Sequence, residues 1–164
     1  MSRFINEIQT MKTLLMGSPW ATDADTQLVI NELDQLLSAG GIRHSIRKSS
    51  LQIFFASRAV DTMLVWACDW EENRNGRPPL HVTKRSIGSA LVYINGKAGA
   101  NPPVPPIKIN GNMFSGATLL GLETSVRNLR NSFLHRAGHY PTTAQLQSLL
   151  TEMLTGIREL SSWR

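Results

Sequence analysis

The sequence predicts an all-α protein: a single domain over residues 1–164, built as a bundle of five to six helices with one long Pro/Gly-rich loop. Three observations lead there. Apolar residues recur at helical spacing along most of the chain. Gly- and Pro-containing junctions punctuate those segments. Hydrophobic residues make up 41% of the 164 positions, enough to close one core and too many for a disordered segment.

The elements follow in order. Phe4, Ile8, Met11 and Leu15 repeat as one stripe, so the chain opens on a short amphipathic helix that Gly17-Ser18-Pro19 breaks. Thr22 or Asp23 can cap a second helix carrying Leu28, Val29, Leu33, Leu36 and Leu37, which Gly40-Gly41 ends. From Ile42 to about Asn73 there is neither Pro nor Gly. This stretch reads as one long helix, straight or kinked, with Ile46, Ile53, Phe54, Val60, Leu64 and Trp66 among its apolar residues. Asn75-Gly76-Arg77-Pro78-Pro79 stops it, and Thr83 can cap a shorter helix with Ile87, Leu91 and Tyr93. Residues 95–112, with Pro102, Pro103, Pro105 and Pro106, read as a long loop of some polyproline character or a short extended pair. A helix from about Thr118 to Ala137 stops at Gly138. After Pro141, Thr142-x-x-Gln145 forms a capping-box pattern ahead of a last helix with Leu146, Leu149, Met153, Ile157 and Leu160.

Charge and cysteine content narrow the function classes. One cysteine, Cys68, excludes an internal disulfide framework and a multi-cysteine zinc site. His44, His81 and His139 have no ligand-type neighbours at metal spacing, so no metal site and no cofactor are expected. Glu7 and Lys12 interrupt the apolar pattern of the first helix, which does not read as a signal peptide, and no apolar run approaches membrane-spanning length. The expected location is cytoplasmic, with no membrane partner. The net charge of +5 favours a polyanionic partner, and it is unevenly spread: Arg77, Lys84, Arg85, Lys97 and Lys108 lie between Gly76 and Leu122, where no acidic residue occurs. A solvated basic surface would have the same composition.

The helix near the C-terminus carries the candidate chemistry. On a wheel of about 100° per residue, Leu119, Leu122, Val126, Leu129 and Phe133 form the core stripe. Arg127, Asn131 and His135 line up at i, i+4 and i+8 on the far side, Arg130 sits at the edge of the stripe, and Leu120 and Leu134 flank the polar row. A face that mixes leucine with Arg, Asn and His suggests packing against another surface, a second copy of the chain being the simplest.

The stretch Arg130-Asn131-Ser132-Phe133-Leu134-His135 resembles the R-N-x-x-x-H motif of HEPN-domain proteins, with Gly138 and Tyr140-Pro141 similar to the helix exit of several bacterial members. The resemblance implies a HEPN-like helical bundle and a metal-independent endoribonuclease working as a homodimer. Arg130 and His135 of both subunits would then line a composite cleft, with a toxin or antiviral-defence role and an inhibitory or activating partner protein. The chemistry is sound by itself. RNA supplies its own 2′-OH nucleophile, so the enzyme needs proton transfer, suited to His135, and stabilisation of the crowded phosphorane, suited to Arg130. Asn131 can orient His135 one turn on. A spacing of five residues separates Arg130 from His135 by about 140° on an ideal helix, so Arg130 must curl across or meet the histidine of the other subunit.

Arg127, Lys84 and Arg85 are the candidate RNA-binding residues. Arg58 and Asp61, three apart on the long helix, are either a structural ion pair or supporting groups of the cleft. Some HEPN toxins carry a modified tyrosine two residues after the motif histidine; here that position is Ala137, and Tyr140 comes five after. Trp20, Trp66, Trp70 and Trp163 read as core or interface residues. The competing reading is a non-catalytic HEPN-like adaptor that uses the same helix face for dimerisation or docking.

Overall fold

A computed structural model describes residues 2–18, 24–75, 86–96, 99, 106, 108–135 and 138–163, with the side chains of residues 2, 3, 25, 72–75, 134 and 135 excepted. Among the described residues the fold is an all-α bundle of six helices without strands. We label them α1 (Ser2–Met16), α2 (Ala24–Gly40), α3 (Ser45–Asn75), α4 (Ile87–Asn95), α5 and α6 (Thr143–Ser161). Helix α5 is a composite rod: α-helical over Gly116–Gly121, π-helical over Leu122–Asn128, and α-helical again over Leu129–His135.

Most of the stripe residues read from the sequence bury, but Leu28 of α2 is exposed and Phe4 and Leu37 are only partly buried. Ile8, Met11 and Leu15 of α1 and Val29, Leu33 and Leu36 of α2 all face the core. Leu146, Leu149, Met153, Ile157 and Leu160 of α6 do the same. Helix α3 is the central element, packing against α2, α4, α5 and α6, and its Ile53, Val60, Leu64 and Trp66 are buried. Ile46 and Phe54, expected among its apolar residues, are instead exposed. Over Ser45–Glu71 this helix is long and apolar enough to cross a bilayer by length and composition, contrary to the expectation that no run approaches that length. With 61% of its apolar window buried inside the bundle, it has the profile of a core helix. Trp66 and Trp163 are buried and Trp70 packs against the core; Trp20 lies outside the described residues.

The ends of the helices follow local chemistry. Thr142 caps α6 through a reciprocal pair with Gln145, as its spacing predicts. The cap of α4 is Ser86, paired with Ser89, and not Thr83: the helix starts at Ile87, so the residue just before it holds the capping geometry. The positions of Thr22, Asp23 and Thr83 lie outside the described residues, as does most of the Pro-rich stretch. Of that stretch, Ile109 and Asn112 form an isolated antiparallel bridge around Asn110 and Gly111, both with positive φ, the arrangement of a tight hairpin turn. Ser115 caps α5, and Glu159 of α6 accepts hydrogen bonds from the Ser115 backbone N–H and the Thr118 hydroxyl. The start of α5 is therefore anchored to α6. Gly138, three positions beyond His135, has a φ of 76°, a conformation that suits glycine.

Candidate active site

The π-helical segment is what an ideal wheel cannot anticipate. The backbone is helical on both sides of it, at Gly121 and Leu129, so the rod continues without a break. A π turn closes i to i+5 and holds more residues than an α turn, so positions beyond it are rotated back from their places on an α wheel. Leu119, Leu122 and Val126 are buried as predicted, while Leu129 and Phe133, beyond the π segment, are only half-buried against the core.

Arg130 then faces α3. Its Nη2 lies 3.9 Å from Oδ2 of Asp61, with about a third of the arginine side chain exposed. That is ion-pair range but too long for a hydrogen bond, so the contact does not consume the guanidinium donors. Together with Phe54, Arg58, Thr62 and Asp69 of α3, Arg130 and Asp61 line an open groove of about 470 Å³. Arg58 is held on the far side by Glu32 of α2, at 2.7 Å, and its guanidinium stands 5.5 Å from the centre of the exposed Phe54 ring. Arg58 and Asp61 are thus not partners in a local ion pair. Each pairs with another helix, and they share the groove.

Asp61 is the perturbed group of the site. Burial pushes its carboxyl above the ordinary value, against the opposing charge of Arg130, the backbone N–H of Ile87 and the charge of Arg58. Its Oδ1 is buried with no hydrogen-bond partner among the described residues. Because the folded-state value is raised, folding binds a proton over the window between the two values. The penalty for burying the carboxylate is absent below the unfolded value of 3.8, grows as pH rises through the folded value and is fully present above it. Asp61→Asn removes the penalised charge. The variant is expected to melt at a higher temperature than the parent at neutral pH, with the gain shrinking as pH falls toward the unfolded value. Melting curves of both proteins across that range check it; a neutral-pH loss would mean that pairing with Arg130 outweighs burial.

The other sequence-predicted residues divide. Arg127 bonds Glu123 one turn back at 3.0 Å and lies across Gly88 of α4, whose missing side chain makes room: a Cβ there would come within 2.9 Å of Arg127 Nε. Helix α4 rather than an open cleft therefore faces this arginine. Asn131 is half-buried on the rod next to Arg130. His135 is the last described residue of the helical rod, and its side chain, like Lys84 and Arg85 altogether, lies outside the described residues. Among the described residues no group of three His, Cys, Asp or Glu side chains is placed to hold a metal ion. The Arg130–Asp61 pair joins positions far apart in the chain, and no spacing rule connects them. Asp61 itself is a sequence candidate, but beside Arg58; its pairing with Arg130 has no signal along the chain.

No family model, no curated protein and no solved structure matches the chain.

Proposed function

We propose that the chain is a HEPN-type endoribonuclease that cleaves RNA without a metal ion, through attack of the substrate's own 2′-OH. The observation that supports this best is the position of Arg130. The first residue of the Arg-Asn-x-x-x-His stretch lines an open groove between α5 and α3, with Arg58 of α3 lining the same groove and the half-buried Asp61 at ion-pair range. A guanidinium in that setting can receive a phosphate diester and stabilise the charge that grows on its oxygens. In the reaction the 2′-oxygen bonds to phosphorus, the bond from phosphorus to the 5′-oxygen breaks, and His135 exchanges the protons. The products are a 2′,3′-cyclic phosphate and a 5′-hydroxyl. Asn131 orients the histidine from one turn away. The enzyme acts as a homodimer with a composite cleft in the cytoplasm, as a toxin or antiviral effector, restrained or triggered by a partner protein or by assembly.

A second reading, a non-catalytic HEPN-like adaptor, is favoured by one feature of the same rod: Leu120 is 61% exposed, as a docking face would have it. Incubation of the purified chain with mixed-sequence RNA in EDTA, beside His135→Ala, separates the two. Loss of the histidine is expected to slow cleavage by about 10²–10⁴-fold. Cleavage by the parent with cyclic-phosphate ends, lost in the variant, supports the nuclease. Equal cleavage by both removes His135 from the site, and no cleavage by either points to the adaptor.

A further inference from the structure

A second groove lies on the other side of α5, where the rod passes the segment 139–142 and the start of α6. It encloses about 530 Å³, within the size range of small-molecule sites, and shares no lining residue with the groove of Arg130. Its lining has a distinct chemistry: hydroxyls, two side-chain amides, aromatic rings and the imidazole of His139, with no Asp, Glu, Lys or Arg. A phosphate would find no Lys or Arg there and a metal ion no carboxylate, whereas a flat ligand with alternating donors and acceptors meets hydroxyls, amides and rings.

We infer that this groove is a base-reading subsite for single-stranded RNA, in which a nucleobase stacks on Tyr140 and is hydrogen-bonded along its edge by Asn128 and Gln145; the inference rests on the nuclease reading above. Tyr140 is 57% exposed, an aromatic face presented to solvent at the mouth of the groove. Side-chain amides carry a donor and an acceptor side by side, which matches the edges of bases. Gln145 already uses Oε1 to accept from the Thr142 backbone N–H at 2.9 Å, so its NH₂ group is the part that remains to donate. Asn128 is exposed on α5 and brings both amide atoms. The two walls are tied together, since the Ser148 hydroxyl of α6 donates to that of Ser125 of α5 at 3.0 Å. The groove is therefore built before any ligand arrives, which lowers the cost of binding.

Its place relative to Arg130 fits a strand of RNA. Asn128 precedes Arg130 by two residues on one rod, and the two open onto different grooves. A helix is about 10 Å across with its side chains, so a single strand laid over α5 can put one phosphate on the Arg130 side and a neighbouring base over Asn128. Recognition of splayed single-stranded bases by stacking and edge contacts is the general mode for RNA. The groove without Asp, Glu, Lys or Arg supplies the base preference, and the groove of Arg130 takes the backbone.

The test uses the full chain and four fluorescent 2′-O-methyl homo-oligonucleotides of A, C, G and U, which lack the nucleophile and so report binding apart from cleavage. Affinities come from anisotropy. One of the four is expected to bind the parent at least about fivefold more tightly than the weakest, in line with the energy of base-edge contacts. Tyr140→Ala should weaken all four by about tenfold, as loss of a stacking platform does, and Tyr140→Phe should restore them. Asn128→Ala should flatten the ranking. Both residues are exposed, so neither substitution empties the core. Arg130→Ala should weaken all four without changing their order. Unchanged affinities and ranking in Tyr140→Ala and Asn128→Ala overturn the subsite even if the parent cleaves RNA, which would leave the nuclease reading standing. No binding of any oligonucleotide by the parent overturns it too. Base-ranked binding lost in these variants upholds it even if no cleavage is found, in which case only the reaction fails.

Discussion

Arg130→Ala is expected to lower RNA cleavage by about 10²–10³-fold, the usual cost of removing one group aimed at transition-state charge. The fold should survive. The side chain is partly exposed and its ion pair with Asp61 is long, so the helical circular dichroism should stay close to that of the parent, while the melting temperature falls modestly at neutral pH, where the Asp61 carboxylate loses its partner, and less in acid. Arg130→Lys should recover only part of the rate, because an ammonium is a point charge and cannot bond two phosphate oxygens as a guanidinium does. A second readout separates this from a general disturbance. The charge of Arg130 holds the Asp61 carboxyl down against the effect of burial. Removing it should raise that carboxyl further and move the pH dependence of stability upward. Parent-like cleavage in Arg130→Ala would remove the arginine from the reaction. Lost cleavage together with a collapsed melting transition would reassign it to structure.

Leu122→Ala is expected to carry the largest stability cost. Leu122 opens the π-helical segment, is fully buried, and its Cδ2 would lie 3.3 Å from a Cβ at Gly156 of α6, so the leucine rests in the notch that this glycine leaves. Truncating a fully buried leucine costs about 2–5 kcal/mol, a large share of a margin of about 5–15 kcal/mol. For a chain of this size each kcal/mol lowers Tm by about 2–4 °C. Gly156→Ala by itself sets the helix-propensity gain of alanine, about 1 kcal/mol, against tight contacts of the added methyl with Leu122 and Met63, so its net effect should be small. In the double variant the new methyl occupies part of the space that the leucine leaves. The pair should therefore be less destabilised than the sum of the singles, and thermal unfolding of the three variants forms the cycle that measures it. Additive costs would mean that the two sites do not share the notch.

Much of this architecture is local and so was readable along the chain. A helix that must bury one face repeats apolar residues on that face, which is why the stripes of α1, α2 and α6 were legible before packing was known. The Thr142–Gln145 box is a contact between residues three apart, and its chemistry is complete within the sequence. The cap of α4 was harder, because Thr83 and Ser86 are both capping residues and only the start of the helix at Ile87 chooses between them.

For the candidate site, the sequence by itself determined the residue types: Arg, Asn and His at helical spacing on one late helix, in a basic chain. Which way they face was decided by tertiary structure. The wheel assumed α geometry throughout, and seven residues of π-helix just before Arg130 change the angular register. The partners were decided there too. Arg58 meets Glu32 rather than Asp61, and Asp61 meets Arg130, because α2, α3 and α5 pack side by side. Ion pairs between helices depend on distance in space, whereas a sequence records only distance along the chain.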